Sequence, residues 1–339
     1  MNDVIETDYL VVGAGAAGMA ITDALLTHSD AMVTIVDRRH APGGHWMDAY
    51  PFVHLHQPSA FYGVDSVPLG SDTVDPSGLN AGFYGLASAD ELRAYYAQVM
   101  QAHFVSGGRV RYFPCCLHQQ DHQARHRFTS RLTGATHEVV VRRKVIDTTY
   151  LEGRIPATSA PPFDVADGVR CVAAGDVVHV TDRPGRVVVL GAGKTAMDVC
   201  VWLLTQGLSP DAIQWVKPRE GWWLNRRFNQ PHARLPDFFA GVGLQFQAMA
   251  QAGSVDEVFA RLEADGFFLR VDTRVTPTMC HGAIISEFEL DLLRQIHDVV
   301  RLGQVRRIET DRMVLDGGSV PTHPDTLYVH CAAAGLARP

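Results

Sequence analysis

The sequence predicts an α/β chain of two Rossmann-like, three-layer domains, the second inserted in the first. Gly13-Ala14-Gly15-Ala16-Ala17-Gly18 and Gly191-Ala192-Gly193-Lys194-Thr195-Ala196 each stand between an apolar strand and a helix. Each helix leads to a further strand, at residues 32–36 and 212–216. With 339 residues, 46% of them apolar, the chain has material for two cores.

Composition removes several functional classes. A net charge of −7 gives no electrostatic reason to expect nucleic acid or an anionic membrane as partner. Residues 1–6 are polar and run straight into a strand, without a leader pattern, and no apolar run is long enough to span a bilayer. A cytoplasmic location is expected. The cysteines are Cys115, Cys116, Cys171, Cys200, Cys280 and Cys331, with no C-x-x-C or C-x4-C pair and no zinc spacing. That disfavours a disulfide reductase, although the vicinal Cys115-Cys116 could be redox-active or could simply fill a strand. The 16 histidines form no H-E-x-x-H signature, and no metal site is expected.

In order, residues 7–12 read as a buried strand and the helix after the first turn runs to about Thr27. Residues 38–85, rich in Gly, Pro, His and aromatics, read as an ordered functional loop region. Ser88-x-x-Glu91 is a capping box opening a helix through about Phe104. Residues 109–149 read as an antiparallel meander, and residues 156–167 as a Pro-rich hinge. The second unit occupies residues 186–206 and stops at Gly207. Ser254-x-x-Glu257 and Ser286-x-x-Glu289 are further capping boxes, residues 305–320 a hairpin turning at Asp316-Gly317-Gly318, and residues 326–331 a last strand. The domains expected are 1–182, with 323–339 returning to it, and 183–322.

In a G-x-G-x-x-G turn, Gly13 makes the tight bend, Gly15 admits a pyrophosphate, and Gly18 lets the helix pack on the strand. Ala16 and Ala17 open that helix, whose N-terminus favours phosphate. Asp37 then ends the second strand, where the fingerprint wants an acid for the ribose hydroxyls. A bare structural turn is the competing reading. The residues beyond, Arg38 to Tyr62, include Gly43-Gly44-His45-Trp46, Tyr50-Pro51, Ser59 and Tyr62. Here the chain resembles the flavin-containing and Baeyer–Villiger (class B) monooxygenases, in which a G-G-x-W segment lies along the flavin. The resemblance implies FAD in the first site, bound by the turn with Asp37, Arg38, Gly44, His45, Trp46 and Tyr62. His56 stands where that family has an Asp near the flavin, and His54 where it has an Arg-type residue. In H-x-H on extended backbone both rings face one way, and imidazoles move protons near neutral pH. Two loop histidines bonded to backbone are the alternative.

The second turn carries Gly191, Gly193, Lys194 and Thr195, with Ala196 for the third glycine. The strand after it ends in Lys217-Pro218-Arg219, with no acid for an NAD ribose. Lys217 and Arg219 offer cations to a 2′-phosphate, so NADPH is expected; solvated surface charges are the alternative. Gly175-x-x-x-His179 resembles the core of the family's interdomain motif. Trp215, Trp222 and Trp223 read as core and lid packing.

The resemblance implies hydride transfer from NADPH to FAD, then discharge to molecular oxygen and oxygenation of a small molecule through a flavin hydroperoxide. An NADPH oxidase without substrate, or a nucleotide-binding protein without turnover, would use the same turns. In the family a strand ending in a small-residue segment, which Val329-His330-Cys331-Ala332-Ala333-Ala334-Gly335 resembles, leads back to the FAD domain. A further C-terminal part of that domain follows there, and the resemblance implies an FAD domain without that part here. Substrate and oligomeric state are not legible.

Overall fold

The computed structural model describes residues 4–123, 125–150, 153, 155–182 and 184–333. The chain opens with β1 (Val4–Val12), α1 (Ala16–His28) and β2 (Val33–Val36), a strand–turn–helix–strand unit as expected. After the long loop region come α2 (Ala89–Gln98) and then β3 (Val110–Phe113), β4 (Cys116–Gln120), β5 (His126–Ser130) and β6 (Thr136–Asp147). The capping box is real: Ser88 accepts from the Glu91 backbone while Glu91 reaches back to Ser88. A π-helical stretch, Val99–Val105, carries α2 to its expected end.

The first sheet runs β3-β2-β1-β6-β5-β4. Its first four strands are parallel and its last three a meander, because β6 pairs with β1 in parallel and, through its first residues, antiparallel with β5. Val11, Val33 and Ile35 bury one face under Met19, Leu92 and Tyr96. Leu10, Val12 and Val36 bury the other against Cys116 and Phe128 of the meander.

The second half contains β7 (Arg170–Ala173), β8 (Arg186–Leu190), α3 (Lys194–Thr205), β9 (Ile213–Val216) and β10 (Gly221–Asn225). There follow α4 (Leu235–Gln251), α5 (Val255–Ala264), β11 (Met279–Ile285), α6 (Glu287–Leu293) and β12 (Asp298–Val300). Last come β13 (Val305–Ile308), β14 (Arg312–Leu315), β15 (Gly318–Pro321) and β16 (Thr326–His330). Strands β7-β16-β8-β9-β12 form a parallel sheet, with α3 and α6 on one face and the β13–β15 layer on the other. The α/β reading with two Rossmann-like units stands.

Two domain boundaries differ from expectation. Residues 170–173, assigned to the first domain, join the second sheet. Residues 326–330, expected to return to the first domain, sit between β7 and β8; all five are buried, so this strand needs neighbours on both edges and layers on both faces. Residues 334–339 lie outside the described residues. The expected single hairpin is three strands of a four-stranded layer, because Glu309 N–H donates to Arg312 O and closes an additional turn, and residues 164–165 add the fourth strand. The Ser254 box is half-formed: Ser254 accepts from the Glu257 backbone, but the Glu257 carboxylate goes to Gly253 N–H and Arg261.

Candidate functional site: two glycine turns and a cavity between the halves

In the first turn Gly13 has φ +101°, and a Cβ on Gly18 would lie 2.0 Å from Gly13 O. Only glycine fits there. A Cβ on Gly44 would lie 2.7 Å from the Cα of Gly15, so the Gly43-Gly44 loop rests directly on the turn. Gly43 N–H donates to Ala14 O at 2.8 Å. Helix α1 starts at Ala16 with no side-chain cap, which leaves its first N–H groups, those of Ala16 and Ala17, open to an anion. Asp37 is buried beside the turn and accepts from the Ala14 and Arg39 N–H groups. Nearby, the Tyr112 hydroxyl is buried without a hydrogen-bond partner. Trp46 Nε1–H donates to Tyr62 Oη at 2.8 Å, joining two residues that the sequence singled out separately. Arg38 and His45 are exposed.

The second turn repeats the plan. Gly191 has φ +144°, and its Cβ would meet Cys331 at 3.2 Å; Gly193 has open space. Ala196 is fully buried against the sheet. Helix α3, starting at Lys194 and Thr195, also lacks a side-chain cap.

Lys217 departs from expectation. It is 1% exposed, ion-paired with Glu220, with its ammonium 4.4 Å from the centre of the Trp215 ring. Burial lowers its pKa, against the pull of Glu220. It is a core counter-ion, not a presented cation. An acid does follow this strand, but Glu220 is spent on Lys217 and on Arg301, 2.8 Å away. Arg219 is exposed; Arg301, the residue after β12, also reaches Asp272 at 2.8 Å.

Between the halves lies a cavity of about 990 Å³. One face of α3 lines it with Lys194, Asp198, Val201, Trp202 and Thr205; the first half adds Phe52, His54, Leu55 and Tyr95. Phe52 stacks on Trp202 with ring centres 5.1 Å apart. A chain of charges forms the floor. Tyr50 Oη donates to Asp198 at 2.6 Å, and Lys194 bonds Asp198 and, at 3.2 Å, Glu289. Arg226 pairs with Glu289 at 2.6 Å and donates to Asn80 Oδ1 and His56 O. Burial alone would raise the Glu289 carboxyl, but Lys194 and Arg226 overcome it and hold its pKa at about 2. Burial likewise works against the Lys194 charge, and Asp198 and Glu289 keep its pKa above the ordinary value.

The histidines part company. His54 is exposed on the cavity wall, in an isolated bridge with Ser88. His56 faces β11, where its Nδ1 accepts from Ile284 N–H at 3.2 Å. Burial, then Lys194 and Arg226, hold its pKa below 6.5, opposed by Asp198 and Glu289. Sequence reasoning missed Tyr50, Asp198 and Arg226 as site residues and took Glu289 only as a cap. The cap was the available signal, since Ser286 fixes Glu289 where both cations reach it.

Gly175 packs on Tyr50, where a Cβ at position 175 would lie 3.6 Å from the tyrosine Cβ, and His179 is exposed. Trp215 and Trp223 are core residues. His118, His122 and His126 stand at four-residue spacing, but they flank a hairpin rather than share a helix face; His118 Nε2 meets His126 Nδ1 at 3.1 Å. Among the described residues no cluster could hold a metal, and no helix is long and apolar enough to cross a membrane.

Residues 11–66 match the family model for an NAD(P)-binding Rossmann-like domain. "Uncharacterized protein Rv2000" of Mycobacterium tuberculosis and "Uncharacterized protein Mb2023" of Mycobacterium bovis are each 46% identical over 335 residues, 98% of this chain. The chain spans 61% of the length of these relatives. Among solved structures, cyclohexanone monooxygenase from Rhodococcus sp. Phi1 bound to NADP+ superposes with a TM-score of 0.55 at 14% identity, over 99% of this chain and 71% of that one. The bacillithiol disulfide reductase Bdr of Staphylococcus aureus gives 0.53 at 12%, over 97% and 77%. A flavin monooxygenase mutant from Stenotrophomonas maltophilia gives 0.51 at 16%, over 99% and 80%. At these identities the likeness is one of fold.

Proposed function

We propose that the chain is an NADPH-dependent FAD oxidoreductase that oxygenates a small molecule. The observation that carries this reading is the pair of uncapped helix starts after glycine turns, one in each half, with Lys194 of the second lining the cavity and the halves joined by the Tyr50–Asp198 bond. The residues present fit two dinucleotides: the Gly13, Gly18 and Gly44 positions exclude a Cβ, and the Tyr112 hydroxyl is orphaned beside Asp37. The NADP+ in the Rhodococcus enzyme and the flavin monooxygenases among the structural neighbours support the same pair of cofactors. Bound FAD would accept hydride from NADPH and, once reduced, pass electrons to oxygen.

The protein's own part is placement. Ala16 and Ala17 N–H groups hold the flavin nucleotide's pyrophosphate, Asp37 accepts ribose hydroxyls on its remaining lone pairs, and Trp46 is held by Tyr62 along the path from Gly44. Lys194 and Thr195 N–H groups take the second pyrophosphate. With Lys217 committed to Glu220, Arg219 and Arg301 are the cations for the 2′-phosphate. Phe52, Leu55 and Trp202 give the cavity an apolar wall that would exclude water from bound cofactors. Burial raises the thiol pKa of Cys200 and Cys331, the cysteines nearest the second turn, which argues against these two as redox thiols.

Purified protein is expected to be yellow, with flavin absorbance near ~450 nm, and to consume NADPH, forming less peroxide when a substrate amine, sulfide or ketone is present. Colourless protein that neither takes up FAD nor oxidises NADPH overturns the reading.

A further inference from the structure

The floor of the cavity offers donor and acceptor side by side. Lys194 has three N–H donors, of which Asp198 and Glu289 take two. Each Asp198 oxygen accepts one bond, from Lys194 or Tyr50, and keeps a second lone pair. Both side chains line the cavity and retain 18% and 14% exposure. Their charges are cancelled: two cations, Lys194 and Arg226, face two carboxylates, Asp198 and Glu289. A carboxylate or ammonium ligand would therefore be desolvated without net attraction. A neutral group that accepts and donates at once meets both unspent positions. One helical turn further along α3, Val201 and Trp202 provide a flat apolar wall with Phe52. A planar ring bearing a primary carboxamide matches this sequence of surfaces, and it would arrive from the phosphate end at the first residue of the same helix.

We infer that Lys194 and Asp198 form the receptor for the nicotinamide carboxamide, Lys194 donating to its oxygen and Asp198 accepting from its NH2. The inference rests on the proposed NADPH site at the second turn and assigns the ring end of that site. Arg226 and Glu289 are positioning residues, which keep Lys194 from closing on Asp198 alone.

The test is equilibrium binding to the full chain, read from tryptophan fluorescence and calorimetry, with no turnover needed. The ligands are NADP+, 2′,5′-ADP, which lacks the ring, and 3-acetylpyridine adenine dinucleotide phosphate, whose acetyl group accepts but cannot donate. Lys194→Met and Asp198→Ala are expected to weaken NADP+ by roughly 10–100-fold and leave 2′,5′-ADP within about twofold. That unchanged 2′,5′-ADP binding also certifies the fold of each variant. The native chain is expected to prefer NADP+ over the acetylpyridine analogue by roughly 10-fold, and Asp198→Ala to lose that preference. Lys194→Arg restores part of the NADP+ affinity. Equal loss of NADP+ and 2′,5′-ADP in both variants, or unchanged NADP+ affinity, overturns the carboxamide assignment while the dinucleotide site stands. Failure of the native chain to bind 2′,5′-ADP overturns the site itself.

Discussion

A methyl group at position 18 would stand 2.0 Å from a carbonyl oxygen of the preceding turn, so Gly18→Ala must push helix and strand apart. Overpacking of this kind costs about 1–3 kcal/mol, and the variant is expected to lose flavin before it loses the fold; urea unfolding and absorbance separate the two. Lys217→Glu is expected to break a buried pair and leave two carboxylates together, at about 3–5 kcal/mol. It should therefore lower the urea midpoint, whereas Arg219→Glu with Arg301→Gln should leave stability closer to native and lower the preference for NADPH over NADH. His56 sets a pH dependence. Its native pKa lies below 6.5, so the unfolded chain binds its proton first and stability falls as pH drops below about 6.5. Urea midpoints at pH 7.5 and 5.5 should differ less in His56→Gln than in the native chain.

At the scale of elements, much was legible. Strand–turn–helix order, the Ser88 and Ser286 boxes and the Asp37 position follow from local rules: apolar periodicity, capping geometry and the backbone freedom of glycine. What escaped were residues whose role depends on partners far along the chain. Lys194 and Asp198 are four apart on α3, an ordinary surface pair in sequence, and only the arrival of Glu289 on α6 makes them a buried floor. Lys217 reads as a surface cation because nothing local tells that β9 is buried at every residue and Trp215 roofs its end. Ser286 joins the two levels, since it caps α6 and donates to Leu79 O in the first half. Ser286→Ala is expected to cost about 1–2 kcal/mol by urea denaturation, and to weaken NADP+ more than 2′,5′-ADP by releasing Glu289.

For the whole molecule, the domain boundary was the least legible feature. A strand's neighbours are set by burial on both edges, which its own five residues cannot announce; β16 found its place between β7 and β8 instead. The halves are tied by Tyr50–Asp198, Arg226–Asn80, Ser286–Leu79 and the Tyr84 N–H to Gln230 bond. Such shared burial predicts one cooperative heat transition, with calorimetric and van't Hoff enthalpies equal. Glu289→Gln should split it. In acid the same residue governs: its pKa drops from 4.5 to about 2, so its contribution is full above pH 4.5 and drains away towards pH 2.

The Tyr50 hydroxyl of the first half and the Arg226 guanidinium of the second sit at opposite ends of the charged floor, and each crosses to the other half. Two crossings set apart, one rooted in each body, resist twisting far better than a single peg. Any swivel of the second half must therefore release both crossings together, so the molecule moves between discrete stations and does not glide.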